Sequence, residues 1–186
     1  MKRINVIIIG AGFAGFRLAK KIEKFENFDV LLIDPSYRFL YNPLLHEASV
    51  GQIPLNVPIF EIKKELKRTL FKRSFVKKIY FEKKEIELEN SEYYKYDYLI
   101  ISPGASPLKV IKGSEHYPTM KTIFDAIRVN EHLKMAYGRY KPLISIIGGG
   151  AVGVELSTLN GRPPCAALSE ILCARFSSGP NRCRQF

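Results

Sequence analysis

Apolar residues in the first 34 positions follow a strand pattern, then a helix pattern, then a strand pattern again. Residues 4–9, INVIII, are β-branched and almost all apolar, which is typical of a strand buried on both faces of a parallel sheet. The next apolar positions recur at helical spacing and form one face: Phe16, Ala19, Ile22 and Phe25. Residues 30–34, VLLID, predict a second strand. The N-terminal segment is therefore predicted to fold as a β-α-β unit with parallel strands.

The first strand and the helix are joined by GAGFAG, residues 10–15. In this pattern Gly10 permits a tight turn, Gly12 lets the backbone approach a pyrophosphate, and Gly15 lets the helix pack close to the strand. The helix N-terminus then offers free N–H groups and a positive dipole end to phosphates. Asp34 ends the second strand 19 residues after Gly15, where a carboxylate accepts hydrogen bonds from the hydroxyls of a ribose without a 2′-phosphate. This order predicts a dinucleotide site, and it fits FAD and NAD equally.

Residues 142–157, PLISIIGGGAVGVELS, repeat the same pattern. Residues 143–147 predict a buried strand, and a helix begins with Val154, Leu156 and Leu159. The three glycine positions are filled by Gly148, Gly150 and Gly153. Two such units, about 138 residues apart, predict two dinucleotides bound by one enzyme.

The segment between the two glycine motifs shows mixed periodicity. Residues 58–70, PIFEIKKELKRTL, predict an amphipathic helix with an inward face: Ile59, Ile62, Leu66 and Leu70. FVKKIYF and EIELEN alternate and are separated by EKK, which predicts a β-hairpin. Residues 94–107, YKYDYLIISPGASP, predict a strand that ends in a turn. Gly104 in that turn is expected near the carboxyl ends of the strands, where ligands bind in such sheets.

Composition adds a strongly basic balance to this pattern. The 186 residues carry a formal net charge of +11, while the apolar fraction of 46% is that of a globular protein. Ten basic residues lie between Lys63 and Lys84, a run that could face nucleic acid or anionic lipid. A solvated lysine-rich face is the more common meaning of such a run, and no helix-turn-helix or ribonucleoprotein motif is present. We therefore expect no nucleic-acid partner.

The lack of targeting signals and the positions of the cysteines indicate in which cellular compartment the protein is expected. No apolar run approaches the roughly 18 residues of a spanning helix, and the motif glycines followed by an amphipathic helix argue against a signal peptide. Cys165, Cys173 and Cys183 all lie in the last 26 residues, so disulfides do not hold the main body together. We expect a cytoplasmic protein.

Four segments resemble those of a known group of flavoproteins: GAGFAG, LLIDPSYRFLYNPLLHEASVGQI, YDYLIISPGA and GGGAVGVELS. From Ile4 to about Ser157, the chain resembles the N-terminal part of the FAD-dependent pyridine nucleotide-disulfide oxidoreductase superfamily, closest to the type II NADH dehydrogenases (NADH:quinone oxidoreductases). The subfamily assignment depends mainly on FLYNPLLHEASVG, which resembles that group's segment beside the flavin. The resemblance implies an α/β, Rossmann-like FAD/NAD(P)-binding fold with a β-meander, truncated at the start of a second Rossmann domain.

The resemblance also implies cofactor-binding roles for particular residues. Positions that hold FAD are matched by Gly10, Gly12, Phe13, Ala14, Gly15 and Asp34. Positions near the isoalloxazine are matched by Pro43 and Leu44. A turn against FAD is matched by Ser102, Pro103 and Gly104, although Pro103 replaces the usual threonine and lacks its hydroxyl. Positions that receive NADH are matched by Gly148, Gly150 and Gly153.

The implied reaction is hydride transfer from NADH or NADPH to FAD, followed by electron transfer to a quinone-type acceptor. Glu155 matches an acid near the nicotinamide and flavin rings and is the candidate catalytic residue, although the dipole of the first helical turn explains an acid there equally well. The resemblance also implies that the full-length parent attaches peripherally to the inner face of the cell membrane. The histidines, His46, His116 and His132, are scattered and are interpreted as surface or satisfied side chains. No metal site is expected.

The positions of the cysteines help to distinguish between related classes of flavoprotein oxidoreductase. Disulfide reductases of the superfamily carry a CxxxxC motif soon after the second strand, and residues 37–52 contain no cysteine. Sulfide:quinone oxidoreductases also need reactive cysteines, but some of theirs would lie beyond residue 186. That alternative therefore stays open, as does a nucleotide-binding fragment without catalysis.

The second glycine unit changes character after Leu159. Asn160-Gly161 is a helix stop, Pro163-Pro164 prevents the helix from resuming, and all 18 lysines lie within residues 1–160. Residues 166–176, AALSEILCARF, have a helix-like pattern, and no β-branched strand ending in an acid follows. We hypothesise a tail foreign to the family, produced by a frameshift, a read-through or a fusion. A native cysteine-bearing tail is the alternative.

These observations predict four regions. They are an FAD-binding domain at residues 1–110, a connector at 111–142, the start of an NAD(P)H-binding domain at 143–158 and an atypical tail at 159–186. Because such an enzyme needs its complete second domain, we expect the chain alone to have little or no turnover.

Overall fold

The computed structural model describes residues 3–107, 112–137, 144–159 and 171–174. Its strands are β1 (Ile4–Ile9), β2 (Phe28–Asp34), β3 (Arg38–Leu40), β4 (Ile59–Glu61), β5 (Leu70–Arg73), β6 (Val76–Tyr80), β7 (Glu85–Leu88), β8 (Tyr93–Lys95), β9 (Tyr98–Ile101), β10 (Ile144–Ile147) and β11 (Ile171–Ala174). Its helices are α1 (Phe13–Ile22), α2 (Leu45–Ser49), α3 (Ile62–Glu65), α4 (Ile123–Tyr137) and α5 (Ala151–Leu159), with 3-10 helices at Asn42–Leu44 and Ser114–His116. The chain forms two compact units, which we call the first unit (Met1–Leu40 with Ile59–Ser106) and the second unit (Tyr41–Pro58 with Pro107–Phe186).

A four-stranded parallel sheet in the order β5-β2-β1-β9 forms the centre of the first unit. β1 and β2 pair in register from Ile4 with Phe28 to Ile9 with Ile33. The predicted bounds of β1 are confirmed, and β2 begins two residues before the predicted start. The predicted β-α-β unit is therefore present, with α1 as its crossover.

Side chains of β1 alternate between the two faces of this sheet. Val6 and Ile8 pack in a buried cluster with Phe16 of α1. Ile7 faces the other way and packs with residues of β7 in a second cluster. The apolar run of β1 thus reflects burial on both faces. Phe25 lies beyond the end of α1 and is 59% exposed, so its predicted place on the inward face is wrong.

A three-stranded antiparallel meander, β6-β7-β8, packs against the sheet of the first unit. The predicted hairpin is confirmed as β6 and β7, with Lys84 at a positive φ in the turn. The single strand predicted within residues 94–107 is wrong, because the chain divides there into β8 and β9. Asp97 marks the division: its N–H donates to the carbonyl oxygen of Asn5, and its carboxylate accepts the N–H of Asn5 at 2.8 Å. These bonds redirect the chain from the meander into the parallel sheet.

The helix predicted over residues 58–70 is wrong. β4 pairs with β3, α3 is a single turn, and β5 pairs with β2. The cause is a tertiary contact: the carboxylate of buried Glu23 accepts hydrogen bonds from the backbone N–H groups of residues 67–69 at 3.0–3.1 Å. Those donors are then not part of a helical ladder. Leu70, predicted to point inward, is 71% exposed.

The second unit packs α2 against α4 and α5. The side-chain amide of Asn130 in α4 donates to the carbonyl oxygen of Ser49 in α2 at 3.1 Å, and both residues are buried. β10 and β11 pair in parallel from Ile144 with Ile171 to Ile147 with Ala174.

Strand β11 corrects the helix-like interpretation of residues 166–176. Over Ile171–Ala174 the chain is a strand, because β10 offers a parallel partner at each position and pairing overrides the local preference. The order β10-α5-β11 is that of a second β-α-β unit, and the four residues of β11 contain no acid. The rest of the predicted tail, residues 160–170 and 175–186, lies outside the described residues.

Candidate functional site

Two positions of the first glycine turn have no room for a side chain. Gly10 has a φ of 97°, and its N–H donates to the carbonyl oxygen of Ile33 at 2.8 Å. A Cβ on Gly10 would collide with the carbonyl oxygen of Ser102, and a Cβ on Gly15 would collide with the carbonyl oxygen of Gly10. The packing of β1, α1 and β9 therefore requires glycine at both places.

Gly12 borders open space instead. Apart from its own and adjoining backbone and its chain neighbours, no heavy atom of the described residues lies within 4 Å of the position that its Cβ would take, and its φ of −72° suits any residue. Gly12 is also the N-cap of α1, whose first turn, with Phe13 and Ala14, has neither a capping side-chain hydrogen bond nor an acid. An uncapped helix N-terminus beside open space fits a pyrophosphate, which the backbone N–H groups and the dipole would stabilise.

The Asp34 carboxylate is fixed at the edge of this turn. Its Oδ2 accepts the N–H of Ala11 at 2.7 Å, and its Oδ1 accepts the N–H of Ser36 at 2.7 Å. A carboxylate offers about four lone-pair sites, so each oxygen retains capacity for a ribose hydroxyl. The acid therefore both anchors the glycine turn and presents acceptors beside it.

Ser102 connects the end of β9 to the same turn. Its N–H donates to the carbonyl oxygen of Ile9 at 2.8 Å, and its Oγ lies 3.0 Å and 3.1 Å from the carbonyl oxygens of Ile9 and Gly10. The hydroxyl thus stabilises the turn through its contacts with these two carbonyl oxygens. Gly104, two residues later, has a φ of 76° and open space at its Cβ position.

Four phenylalanines support the first turn of α1. The Phe13 ring packs edge-on against Phe39 at 5.1 Å, and the Phe39 ring stacks on Phe60 at 4.7 Å between centroids. Phe16 packs against both Phe39 and Phe60. This cluster joins α1 to β3 and β4, which fixes the start of the helix relative to the sheet.

The second glycine turn repeats the geometry of the first. Gly148 has a φ of 118°, and a Cβ on Gly153 would collide with the carbonyl oxygen of Gly148. Among the described residues, nothing lies within 4 Å of the position that a Cβ on Gly150 would take, and the carbonyl oxygen of Gly150 accepts the N–H of Val154 at 3.0 Å at the start of α5. The second glycine of this turn therefore has the same free Cβ position as Gly12 in the first turn.

Near this second turn, the structure reveals a residue that sequence reasoning left without a role. His46 follows the 3-10 helix that carries Pro43 and Leu44, and it is 9% exposed. Its Nδ1 lies 3.5 Å from Oε2 of Glu155 in α5. The signal in the sequence was its place directly after the PLL segment; His116 and His132 are exposed.

The predicted site residues therefore divide between the two units. The first unit brings together Gly10, Gly12, Phe13, Ala14, Gly15, Asp34 and Ser102, with Gly104 in the loop after β9. The second unit contains Pro43, Leu44, Gly148, Gly150, Gly153 and Glu155.

Comparison with known proteins identifies the family that shares this arrangement. The family described as pyridine nucleotide-disulphide oxidoreductase matches residues 4–162. This chain belongs to that family. The predicted superfamily and the Rossmann-like α/β fold class are confirmed, and FAD and a pyridine nucleotide are the cofactors expected of a member.

Relatives of this chain include proteins named as quinone oxidoreductases. The alternative NAD(P)H-ubiquinone oxidoreductase C1 of Arabidopsis thaliana is 31% identical over 84% of this chain and 35% of its own length. The type II NADH:quinone oxidoreductase of Staphylococcus haemolyticus is 28% identical over 98% of this chain and 48% of its own length. The chain thus spans between a third and a half of the length of these two relatives.

A solved structure supports the fold of this family member. NDH2 from Plasmodium falciparum, in complex with NADH, superposes with a TM-score of 0.74 at 24% identity. The match covers 92% of this chain and 42% of the NDH2 chain.

The basic run, residues 63–84, is partly neutralised by ion pairs. Lys77 lies 2.6 Å from the carboxylate of Glu87, and Lys72 lies 2.6 Å from that of Glu92. Hydrogen bonding from Lys72 helps to lower the pKa of Glu92 to about 2. Such pairing is typical of a solvated charged surface.

Within the described residues, no group of three or more His, Cys, Asp or Glu side chains is arranged to hold a metal ion. No helix in that part of the chain is long and apolar enough to cross a membrane.

Proposed function

We propose that this chain forms the N-terminal part of a flavoprotein that transfers a hydride from NAD(P)H to FAD and passes electrons to a quinone. The observation that carries this proposal is the pair of equivalent glycine turns, one in each unit. In both turns the third glycine is fixed by packing against the first, and the second glycine borders open space. The names of the sequence relatives support a quinone as the acceptor.

The first unit is assigned to the adenosine and pyrophosphate part of FAD. The backbone at Gly12 and the N-terminus of α1 receive the pyrophosphate, since no side chain caps this helix end. Asp34 accepts hydrogen bonds from the ribose hydroxyls through oxygens already oriented by Ala11 and Ser36. Ser102 holds the turn in this shape.

The second unit is assigned to the nicotinamide dinucleotide. Gly150 and the N-terminus of α5 receive the pyrophosphate of NAD(P)H, and Glu155 lies in the second turn of that helix. Pro43 and Leu44 border the isoalloxazine. Bound FAD supplies the redox chemistry, accepting two electrons as a hydride and releasing them to the quinone. An acid at the end of the second strand selects NADH in such units, and β11 contains none, so the proposal covers NADH and NADPH.

A quinone acceptor also suggests where the full-length parent works. Because long-chain quinones dissolve in lipid, we propose peripheral attachment of the parent to the inner face of the cell membrane. Support for this location comes from the quinone-linked relatives.

The visible absorbance spectrum of the purified chain, with and without added FAD, tests the proposal. We expect flavin bands near equimolar with protein, and a single stoichiometric bleaching of those bands when NADH is added without oxygen, which requires one reduction and no turnover. Gly12→Val should remove FAD binding, whereas Gly150→Val should retain FAD but lose bleaching, because each adds a side chain to one open turn. Failure to bind FAD, or bleaching unaffected by Gly150→Val, would contradict the proposal.

A further inference from the structure

A buried imidazole in the second unit lies against the carboxylate assigned to the nicotinamide. The Nδ1 atom of His46 in α2 is 3.5 Å from Oε2 of Glu155 in α5. The two side chains differ in burial: that of His46 is 11% exposed and that of Glu155 is 51% exposed. The contact therefore joins an enclosed group to a solvent-facing one.

The backbone of His46 is fixed by its own short helix. Its carbonyl oxygen accepts the hydroxyl of Ser49 at 2.7 Å and the N–H of Val50 at 3.3 Å. The carbonyl of Ser49 in turn accepts the side-chain amide of Asn130 in α4. Because α2 is tied to α4 in this way, the imidazole is the anchored partner and Glu155 is the partner whose position it can set.

A second carboxylate lies near the same ring, but at a longer distance. Nε2 of His46 is 4.0 Å from Oε1 of Glu47, which is beyond hydrogen-bond distance. Glu155, 3.5 Å from Nδ1, is the nearer of the two acids. The contact with Glu155 is therefore the one through which the imidazole can act on a carboxylate.

We propose that His46 is a positioning residue that holds the Glu155 carboxylate, in the second turn of α5, for the nicotinamide dinucleotide. This inference rests on the proposed function. Since His46 comes two residues after Leu44, one short segment both borders the isoalloxazine and sets the acid assigned to the nicotinamide. Residues 43–46 thereby couple the two ring positions within the second unit.

A double-mutant cycle on the full chain, reconstituted with FAD, tests the pair. The variants are His46→Leu, His46→Asn, Glu155→Gln and the double variant His46→Leu/Glu155→Gln. Two readouts are measured for each: the Kd for NADH and the midpoint of urea unfolding. The matched control is the exposed pair His116 and Glu115, 3.6 Å apart, changed to Asn and Gln, because exposed pairs contribute little.

We expect Glu155→Gln to raise the Kd for NADH roughly tenfold, as loss of a hydrogen bond to a charged group does. His46→Leu should raise it several-fold, and the double variant should be no worse than Glu155→Gln alone. His46→Asn keeps a nitrogen donor at the place of Nδ1, so it should restore most of the affinity. The urea midpoints should show the same non-additivity, and the control pair should be additive.

Three results would overturn the inference. If the effects of His46→Leu and Glu155→Gln on the Kd multiply, the side chains act independently. If only the urea midpoints are coupled, the pair is structural and His46 does not position Glu155 for the dinucleotide. If the unaltered chain binds FAD but no NADH, the nicotinamide half of the proposed function fails and the positioning role fails with it, while the urea cycle still reports whether the pair forms.

Discussion

The carbonyl oxygen of Gly10 occupies the place that a side chain on Gly15 would need. The carbonyl oxygen of Gly148 stands in the same relation to Gly153. In each turn the helix begins so close to the strand that only hydrogen atoms fit between them. Because two distant parts of the chain use the same contact, the requirement comes from the strand-turn-helix geometry and not from the neighbouring sequence.

This contact predicts different outcomes for two alanine substitutions in one motif. Gly15→Ala forces a methyl group into the backbone of Gly10, and we expect a loss of about 2 kcal/mol or more in the free energy of unfolding. Gly12→Ala meets open space at a φ that alanine adopts freely. Gly12→Ala should therefore lower the free energy of unfolding by less than about 1 kcal/mol, while still weakening FAD binding. Urea unfolding and FAD titration of both variants check this, and equal stability losses would contradict the assignment.

Asp34 should contribute to affinity more than to folding. Asp34→Asn keeps one acceptor oxygen but replaces the other by an amide NH2, so the backbone hydrogen bond from Ala11 or from Ser36 is lost together with any ribose contact to the replaced oxygen. We expect the Kd for FAD to rise by roughly one to two orders of magnitude, as for a hydrogen bond to a charged group. Fluorescence titration with FAD measures this. As a control, Asp29→Asn alters an exposed acid at the opposite end of β2 and should leave the Kd unchanged.

Prediction from the sequence succeeded where the pattern was continuous and local. The run of residues 4–9 has three consecutive buried positions at its centre, residues 6–8, and glycine at three fixed offsets leaves little freedom for the turn that follows. The β6-β7 hairpin was also predictable, because alternation and a short polar turn lie within one segment. The glycine and Asp34 positions of the site followed from the same local order.

The failures arose from contacts between distant segments. Residues 58–70 have helical periodicity, but Glu23, more than 40 residues earlier, holds the N–H groups of residues 67–69. Strand β11 needs β10, and the role of His46 depends on α5. A single sequence contains no signal for these pairings, since each residue alone fits another environment equally well.

Glu23 should make stability depend on pH. Burial acts to raise its pKa, but the three backbone N–H donors outweigh burial and lower the pKa below its ordinary value. A depressed carboxyl pKa adds stability above the unfolded pKa of about 4.3, and that stability is lost as the pH falls through the folded value. Glu23→Gln should lower the free energy of unfolding by about 1–3 kcal/mol at pH 7. When the pH is lowered, this variant should lose less stability than the unaltered chain does. Urea unfolding at pH 7 and at pH 4 tests this, with exposed Glu26→Gln as the control.

The N-terminus of α4 carries a capping box that should stabilise the second unit. The N–H of Asp125 donates to Oγ1 of Thr122, and the carboxylate of Asp125 accepts the N–H of Thr122 at 2.9 Å. Thr122→Ala should lower the free energy of unfolding by about 1 kcal/mol. Thr122→Ser keeps the hydroxyl and should lower it by only about a few tenths of a kcal/mol. Circular dichroism during urea unfolding measures both, and an equal loss for alanine and serine would contradict the cap.

Ser102 makes the first glycine turn depend on a strand that is synthesised much later. The contact between its hydroxyl and the carbonyl of Gly10 closes a loop of 92 residues, and closing a long loop delays the formation of the contacts that need it. A nascent chain that has emerged only to Asp34 therefore contains the whole nucleotide motif without the support that shapes it. Competence to bind FAD is expected to be acquired when β9 joins the sheet, so the motif is not a module that could be moved to another protein by itself.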